Sequence, residues 1–347
     1  MMAEPHDSFW ELERKNRRET ALLVIVFILL FTALGCGLDF VFGNLRIVDG
    51  QITGAPLLTI IALVIGSIQS LASYFGGASL VLASVHARPL VPDSPKEQTV
   101  LDVVGEMALA ARMPMPRAYV IDDAAPNAFA TGRDPQHSVI CVTRGLVDEM
   151  DREELQGVLG HEMAHVRDYD IRTMMMIAVL VGGIAMLADF VYRWSWFGGF
   201  GARGGRGDRD SSDGGGGNAG ALIAIVVFVL AALAPIFSQL LAMAVSRQRE
   251  YMADAASVEF SRNPRALLRA LEHLAQTESP LKNGSRGIAH LFIVNPLQGV
   301  GDDGEGFFAN LLSTHPPLSK RIARLRALAG EGDPGNAGVA AAGATPA

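Results

Sequence analysis

The sequence predicts a mainly α-helical, multi-pass membrane protein that carries a small β-sheet in a polar block between its membrane segments. Three observations carry that prediction. Half of the residues are hydrophobic, at a mean hydropathy of +0.27, and they gather into long charge-free runs. Between two of these runs, residues 86–172 change to helical and then two-residue periods. Asp151 followed by Glu154 forms a capping signature that opens a helix leading into the third run.

The elements follow in order. Residues 1–19 form a cytoplasmic N-terminus. Residues 20–42 hold the first membrane helix, with no charge from 21 to 38. Residues 52–84 hold the second and are also charge-free. About 20 apolar residues cross a bilayer as a helix. Residues 173–192 therefore read as a transmembrane or re-entrant helix, since the apolar run is short before Asp189. Residues 193–218 form a glycine-rich external loop with linker character. Residues 219–246, with Pro235 inside them, form the last membrane helix, and residues 329–347 read as a disordered tail.

Orientation comes from the basic residues. Arg14, Lys15, Arg17 and Arg18 precede the first run, whereas the next loop carries only Arg46. The positive-inside rule puts the N-terminus in the cytoplasm, and two crossings put residues 86–172 and 247–328 on the same side. Arg193, Arg203, Arg206 and Arg209 in the external loop run against that assignment. Ala33-Leu34-Gly35-Cys36 partly resembles a lipoprotein cleavage box. Ala33 stands where a large aliphatic residue is usual, so the segment reads as an uncleaved anchor.

In the first cytoplasmic block, residues 89–96 read as a linker and 99–112 as an amphipathic helix. Val100, Val103, Val104, Met107, Ala108 and Ala111 share its apolar face. Residues 117–122 and 138–143 read as strands of a small antiparallel sheet, with Asn127-Ala128-Phe129-Ala130-Thr131-Gly132 between them.

The net charge of −7 argues against nucleic acid as the main partner, and Cys36 and Cys141 are too few for a disulfide framework or a thiolate cage. The chemistry lies in His161-Glu162-Met163-Ala164-His165. Histidines at i and i+4 share one helical face and can reach one metal. Glu162, about 100° round the helix from His161, can lean towards a water as general base without being a ligand. Zinc suits two imidazoles and a carboxylate, with a fourth position left for water. Ile171 occupies the place of a third histidine, so the third ligand is acidic. Asp168, Asp170, Glu250, Asp254 and Glu259 are the candidates. Glu250 is best placed, since it emerges just after the last membrane helix. Asp254 shares its helical face, so one can bind metal while the other orients a histidine. His273 and His290 lack ligand spacing and read as packing or surface residues. Met174, Met175 and Met176 read as core or lipid contacts.

These motifs together resemble the HtpX family of bacterial membrane zinc proteases and, more distantly, the CAAX prenyl endopeptidases. The resemblance rests on HEMAH at 161–165, Asp170, SRQREYMAD at 246–254, NAFATG at 127–132, and Thr314-His315-Pro316-Pro317 with Arg321. It implies a zincin-type cytoplasmic metalloprotease domain. One zinc ion per chain would sit on His161, His165 and Glu250, with Glu162 catalytic. Asp254 and Asp170 would stand behind the ligands, and His315, Arg321 and Asn127 would contact the oxyanion or the substrate. It also implies membrane-protein or unfolded-polypeptide substrates and quality control at the inner membrane. The alternatives are a non-catalytic zinc-binding scaffold or chaperone, which has no need of Glu162, and a transporter, for which the runs lack paired charges.

Overall fold

The computed structural model describes residues 9–41, 43–180, 182, 247–276, 288–294 and 316–331. The glycine-rich loop, the expected fourth membrane helix, His315 and most of the tail lie outside them. The chain divides into two compact units. One comprises residues 1–16, 77–175 and 242–347, and the other residues 17–76 and 176–241.

The second unit holds most of two long helices, α1 (Phe9–Val41) and α2 (Leu57–Ser84). Among the described residues these are the two long and apolar enough to cross a membrane, with mean hydropathies of 2.8 and 1.8. Only 22% and 17% of those windows are buried, so Leu22, Ile25, Leu29, Ile60 and Ile68 point outward. Helices of a water-soluble core would hide such side chains. α1 starts well before the apolar run, because Glu, Lys and Arg are good helix formers and carry the helix back through the basic stretch. Where the two helices meet, Gly35 lies against α2, and a Cβ there would stand 2.6 Å from the Leu58 carbonyl oxygen. Asp39, fully buried, accepts from the Leu58 and Thr59 N–H groups and the Thr59 hydroxyl, and so caps α2.

A hairpin joins α1 to α2, with β1 (Leu45–Val48) paired to β2 (Gln51–Gly54). Its turn residues Asp49 and Gly50 both have positive φ, at 51° and 74°. A two-residue primed turn needs that conformation, and Asp-Gly is a favoured pair for it. The hairpin was not anticipated, although the dipeptide is its usual signature.

The first unit is built on a four-stranded sheet in the order β3 (Arg88–Pro89), β4 (Arg117–Ile121), β6 (Ser138–Thr143), β5 (Ala128–Gly132). The expectation of an antiparallel sheet needs correction, because β4 and β6 run parallel. β5 folds back on β6 through a hairpin that starts at Gly132 (φ 146°) and takes the outer edge. β4 is left on the opposite flank of β6, running in its direction.

Helix α3 (Pro95–Ala110) starts at the Ser94 cap with Pro95 in its first turn, and buries the predicted face of Val100, Val103, Val104, Met107 and Ala108. A short helix α4 (Arg144–Glu149) leads to α5 (Arg152–Arg167), which opens with the expected capping box of Asp151 and Glu154. α5 is buried from Leu155 to Val166 save for Gln156, because other elements pack round it. Residues 170–180 form α6, whose Met174, Met175 and Met176 are buried. Helices α7 (Arg247–Ser261), α8 (Pro264–Leu274) and α9 (Leu318–Leu328) follow among the described residues of the unit. α8 crosses α5 so closely that a Cβ on Gly157 would lie 2.4 Å from the Leu267 nitrogen. Beside it, the Ser257 hydroxyl of α7 donates to the Gly157 carbonyl at 2.6 Å. Two neighbours thus grip the first half of α5, and the register of α5 against α7 sets where their polar residues meet.

Candidate metal centre

One turn beyond that grip, α5 presents His161 and His165 to α7, which presents Glu250 and Asp254. The two Nε2 atoms lie 3.2 Å apart, with ring planes at 87°. Glu250 Oε2 is 3.6 Å from His161 Nε2, and its Oε1 is 3.5 Å from His165 Nε2. One ligand atom from each of the three residues lies within 4.8 Å of the others, and all three side chains are buried. The helical period explains the pair, since residues four apart stand one above the other.

Each imidazole is held from behind. Asp254 Oδ1 lies 3.0 Å from His161 Nδ1, and Asp170 Oδ2 lies 3.2 Å from His165 Nδ1. A carboxylate at Nδ1 fixes the proton there and leaves the Nε2 lone pair facing inward. Two lone pairs 3.2 Å apart repel unless a proton or a metal cation lies between them. The donor set therefore fits zinc, which favours imidazole nitrogen and carboxylate oxygen.

The charges agree. In this buried cluster Glu162, Glu250, Asp170 and Asp254 face Arg249 and Arg321. Carboxylates outnumber guanidiniums here, and a surplus of buried negative charge suits a bound cation. Burial would raise Asp254, but Arg321 and His161 hold it below the ordinary carboxylate range. Burial would raise Asp170 too, but the hydrogen bond to His165 and the Arg249 charge hold it low. Burial alone would lower His165. The hydrogen bond to Asp170 and the charge of Glu250 outweigh that and carry it up to about 9. Glu162 behaves differently: burial, aided by Glu250, keeps its pKa raised against the pull of His161 and His165. The Ala130 N–H of β5 donates to the Glu162 carboxylate, which ties it to the sheet edge.

Arg321 is fully buried. Its Nε and Nη2 both donate to Asp254, at 3.0 and 2.6 Å, and its Nη1 donates to the Ile293 carbonyl at 3.3 Å. Asn127 is buried beside β5. Its Nδ2 donates to the Val294 carbonyl at 2.9 Å, and its Oδ1 accepts from the Ala128 N–H at 3.0 Å. The same 288–294 segment pairs with the outer edge of β5, through Ile293 N–H to the Ala128 carbonyl at 3.0 Å. His290 is buried with Nε2 3.1 Å from the Met174 carbonyl oxygen, and His273 lies among Glu149 and Glu154, each 3.6 Å away. The structure thus brings together His161, His165, Glu250, Glu162, Asp254, Asp170 and Arg321, and sets Asn127 on the neighbouring segment.

Three participants escaped the sequence reading. Arg249 lies inside a noted motif, where its neighbour drew the attention. Ala130 acts through its backbone, which leaves no mark in a sequence. Asn16 sits in α1, and its signal is faint: an uncharged residue inside a basic run.

The model of peptidase family M48 matches residues 94–329. Two relatives named Protease HtpX homolog, from Lactobacillus helveticus (strain DPC 4571) and Lactobacillus acidophilus (strain ATCC 700396 / NCK56 / N2 / NCFM), are each 40% identical over 313 residues. Those residues are 90% of this chain and 97% of each relative. A solved structure, described as the crystal structure of S. mikatae Ste24p, is 19% identical with a TM-score of 0.46, covering 90% of this chain and 66% of that one. A family match that takes in β4, β5 and β6, the paired histidines and Arg321, with relatives aligned nearly end to end, places this chain in peptidase family M48 as a membrane-bound metalloendopeptidase that acts on protein substrates.

Proposed function

We propose that the chain is a zinc endopeptidase of the bacterial inner membrane, with its active site at the cytoplasmic face, that removes misfolded or damaged membrane proteins. The observation that carries this reading is the buried convergence of His161, His165 and Glu250 with Glu162 on the same helix. These three side chains would hold one zinc ion, which supplies a Lewis acid to polarise the scissile carbonyl.

Glu162 takes a proton from the attacking water and returns it to the departing amine. Its raised pKa suits a carboxylate that must carry a proton between two steps. Asp254 and Asp170 orient the imidazoles. Arg321 holds Asp254 in place, and its guanidinium also stands 3.5 Å from Glu250 Oε2 and 3.3 Å from His161 Nδ1. Asn127 acts as a bracket between β5 and the 288–294 segment. His315 is assigned to the oxyanion on its Thr-His-Pro-Pro motif alone. Two outward-facing apolar helices support the membrane setting, and the exposed Arg14, Lys15, Arg17 and Arg18 support a cytoplasmic N-terminus.

The test uses detergent-purified full-length protein, an unfolded polypeptide, and a chelator. Zinc-dependent cleavage is expected from the wild type. Glu162→Gln should keep one zinc per chain and release no peptides. A zinc-loaded wild type that cuts nothing, or an active Glu162→Gln, would end the proposal.

A further inference from the structure

Asn16 is buried to 2% exposure, although Arg14, Lys15, Arg17 and Arg18 around it are all exposed. It lies about two turns inside α1 and belongs to the same compact unit as the metal centre. Its Nδ2 donates to the Asp168 carbonyl at 2.6 Å and to Asp170 Oδ1 at 2.9 Å. Its Oδ1 accepts from Arg249 Nη1 at 3.0 Å, and that same Nη1 lies 3.2 Å from Asp170 Oδ1.

The amide can sit only one way. Turned over, it would set an NH2 against a guanidinium and an oxygen against a carboxylate. Two donors and one acceptor at this reach are the inventory of asparagine. Asp170 is thereby held by Asn16 and Arg249 on one oxygen while its other oxygen faces His165 Nδ1 at 3.2 Å. The Asp168 carbonyl, at the end of α5, is fixed by the same amide. Asn16 so defines both the position of Asp170 and the turn that delivers it.

We infer that Asn16 is a positioning residue for His165, acting through Asp170, so that the first helix of the chain helps to set the metal affinity. The inference rests on the reading of His161, His165 and Glu250 as metal ligands. Outer partners of metal ligands are worth about 10–100-fold in affinity, and Asn16, one bond further out, should give about tenfold, the lower end.

The experiment compares full-length wild type with Asn16→Leu, which removes the hydrogen bonds to Asp168, Asp170 and Arg249, and Asn16→Asp, which keeps the acceptor for Arg249 and loses both donors. Zinc affinity is read by chelator competition, ligand geometry by the visible bands of the cobalt-substituted protein, and folding by melting of the metal-free form. Both variants should bind zinc about tenfold more weakly and shift the cobalt bands, with kcat reduced and KM unchanged. Wild-type affinity and wild-type bands in the folded variants overturn the inference, as does a lowered melting temperature with affinity intact. If Asn16→Leu does not fold, Asn16→Asp decides. A wild type that binds neither zinc nor cobalt refutes the metal reading itself, which is a different result from normal binding in the variants.

Discussion

Gly157 of α5 lies directly beneath the backbone of Leu267 in α8, where a Cβ would stand 2.4 Å from the Leu267 nitrogen and 2.6 Å from the Ala266 carbonyl carbon. The obstacle is backbone, so no side-chain rotation can relieve it. Gly157→Ala should destabilise the protein by about 1–3 kcal/mol or more, as overpacking does. Because His161 lies one turn further along, zinc content should fall with stability. An unchanged melting temperature in detergent would contradict the close crossing.

Arg321 and Asp254 should behave as a unit. Removing one partner of a buried ion pair leaves an uncompensated charge and costs about 3–5 kcal/mol. Arg321→Met should therefore melt well below wild type. Arg321→Met combined with Asp254→Asn should recover part of that loss, since the stranded carboxylate is gone. Additive losses in the double variant would mean that the two residues do not interact.

Glu97 offers a pH-dependent contribution away from the metal centre. It accepts from the Asp93 N–H and from Arg144, each at 2.7 Å. The Asp93 N–H, opposed by burial and aided by Arg144, holds its pKa below the usual 4.5. A carboxylate depressed by folding contributes stability that is fully present above its unfolded pKa. That contribution is lost as pH falls through the folded value. The melting temperature should drop on acidification below about pH 4.5, and Glu97→Gln should flatten that limb. Thermal melts across the acid range, with identical slopes for both proteins, would refute the assignment.

Metal removal should expose the charge imbalance of the centre. Stripped protein buries a surplus of carboxylates and should melt at lower temperature. Zinc at about 100 times its Kd should restore about 2.7 kcal/mol. In Glu250→Ala the zinc-dependent upshift should disappear. A melting curve indifferent to both chelator and zinc would show that the site holds no ion.

Local features were legible in the sequence and long-range ones were not. The paired imidazoles, the capping box before them and the apolar face of α3 each follow from residues a few positions apart. Glu250 could be picked out because it follows the last expected membrane helix and has Asp254 four places on. The parallel pairing of β4 with β6 depends on which flank of β6 is taken by β5, and no short window encodes that choice. Asn16 meets Asp170 across a separation of 154 residues. Nothing near Asn16 in the chain foretells the meeting, because both partners obtain their positions from helices packed elsewhere. Gly157 is similar: its need for hydrogen in place of a methyl comes from α8.

The guanidinium of Arg321 has a temporal consequence. It is the last-made member of a centre that also draws on positions 16, 161–170 and 249–254, and it steadies the carboxylate behind the first imidazole. A chain folded only as far as α7 therefore lacks the guanidinium that steadies Asp254, so the histidine pair and its carboxylate support are completed only when α9 packs in place.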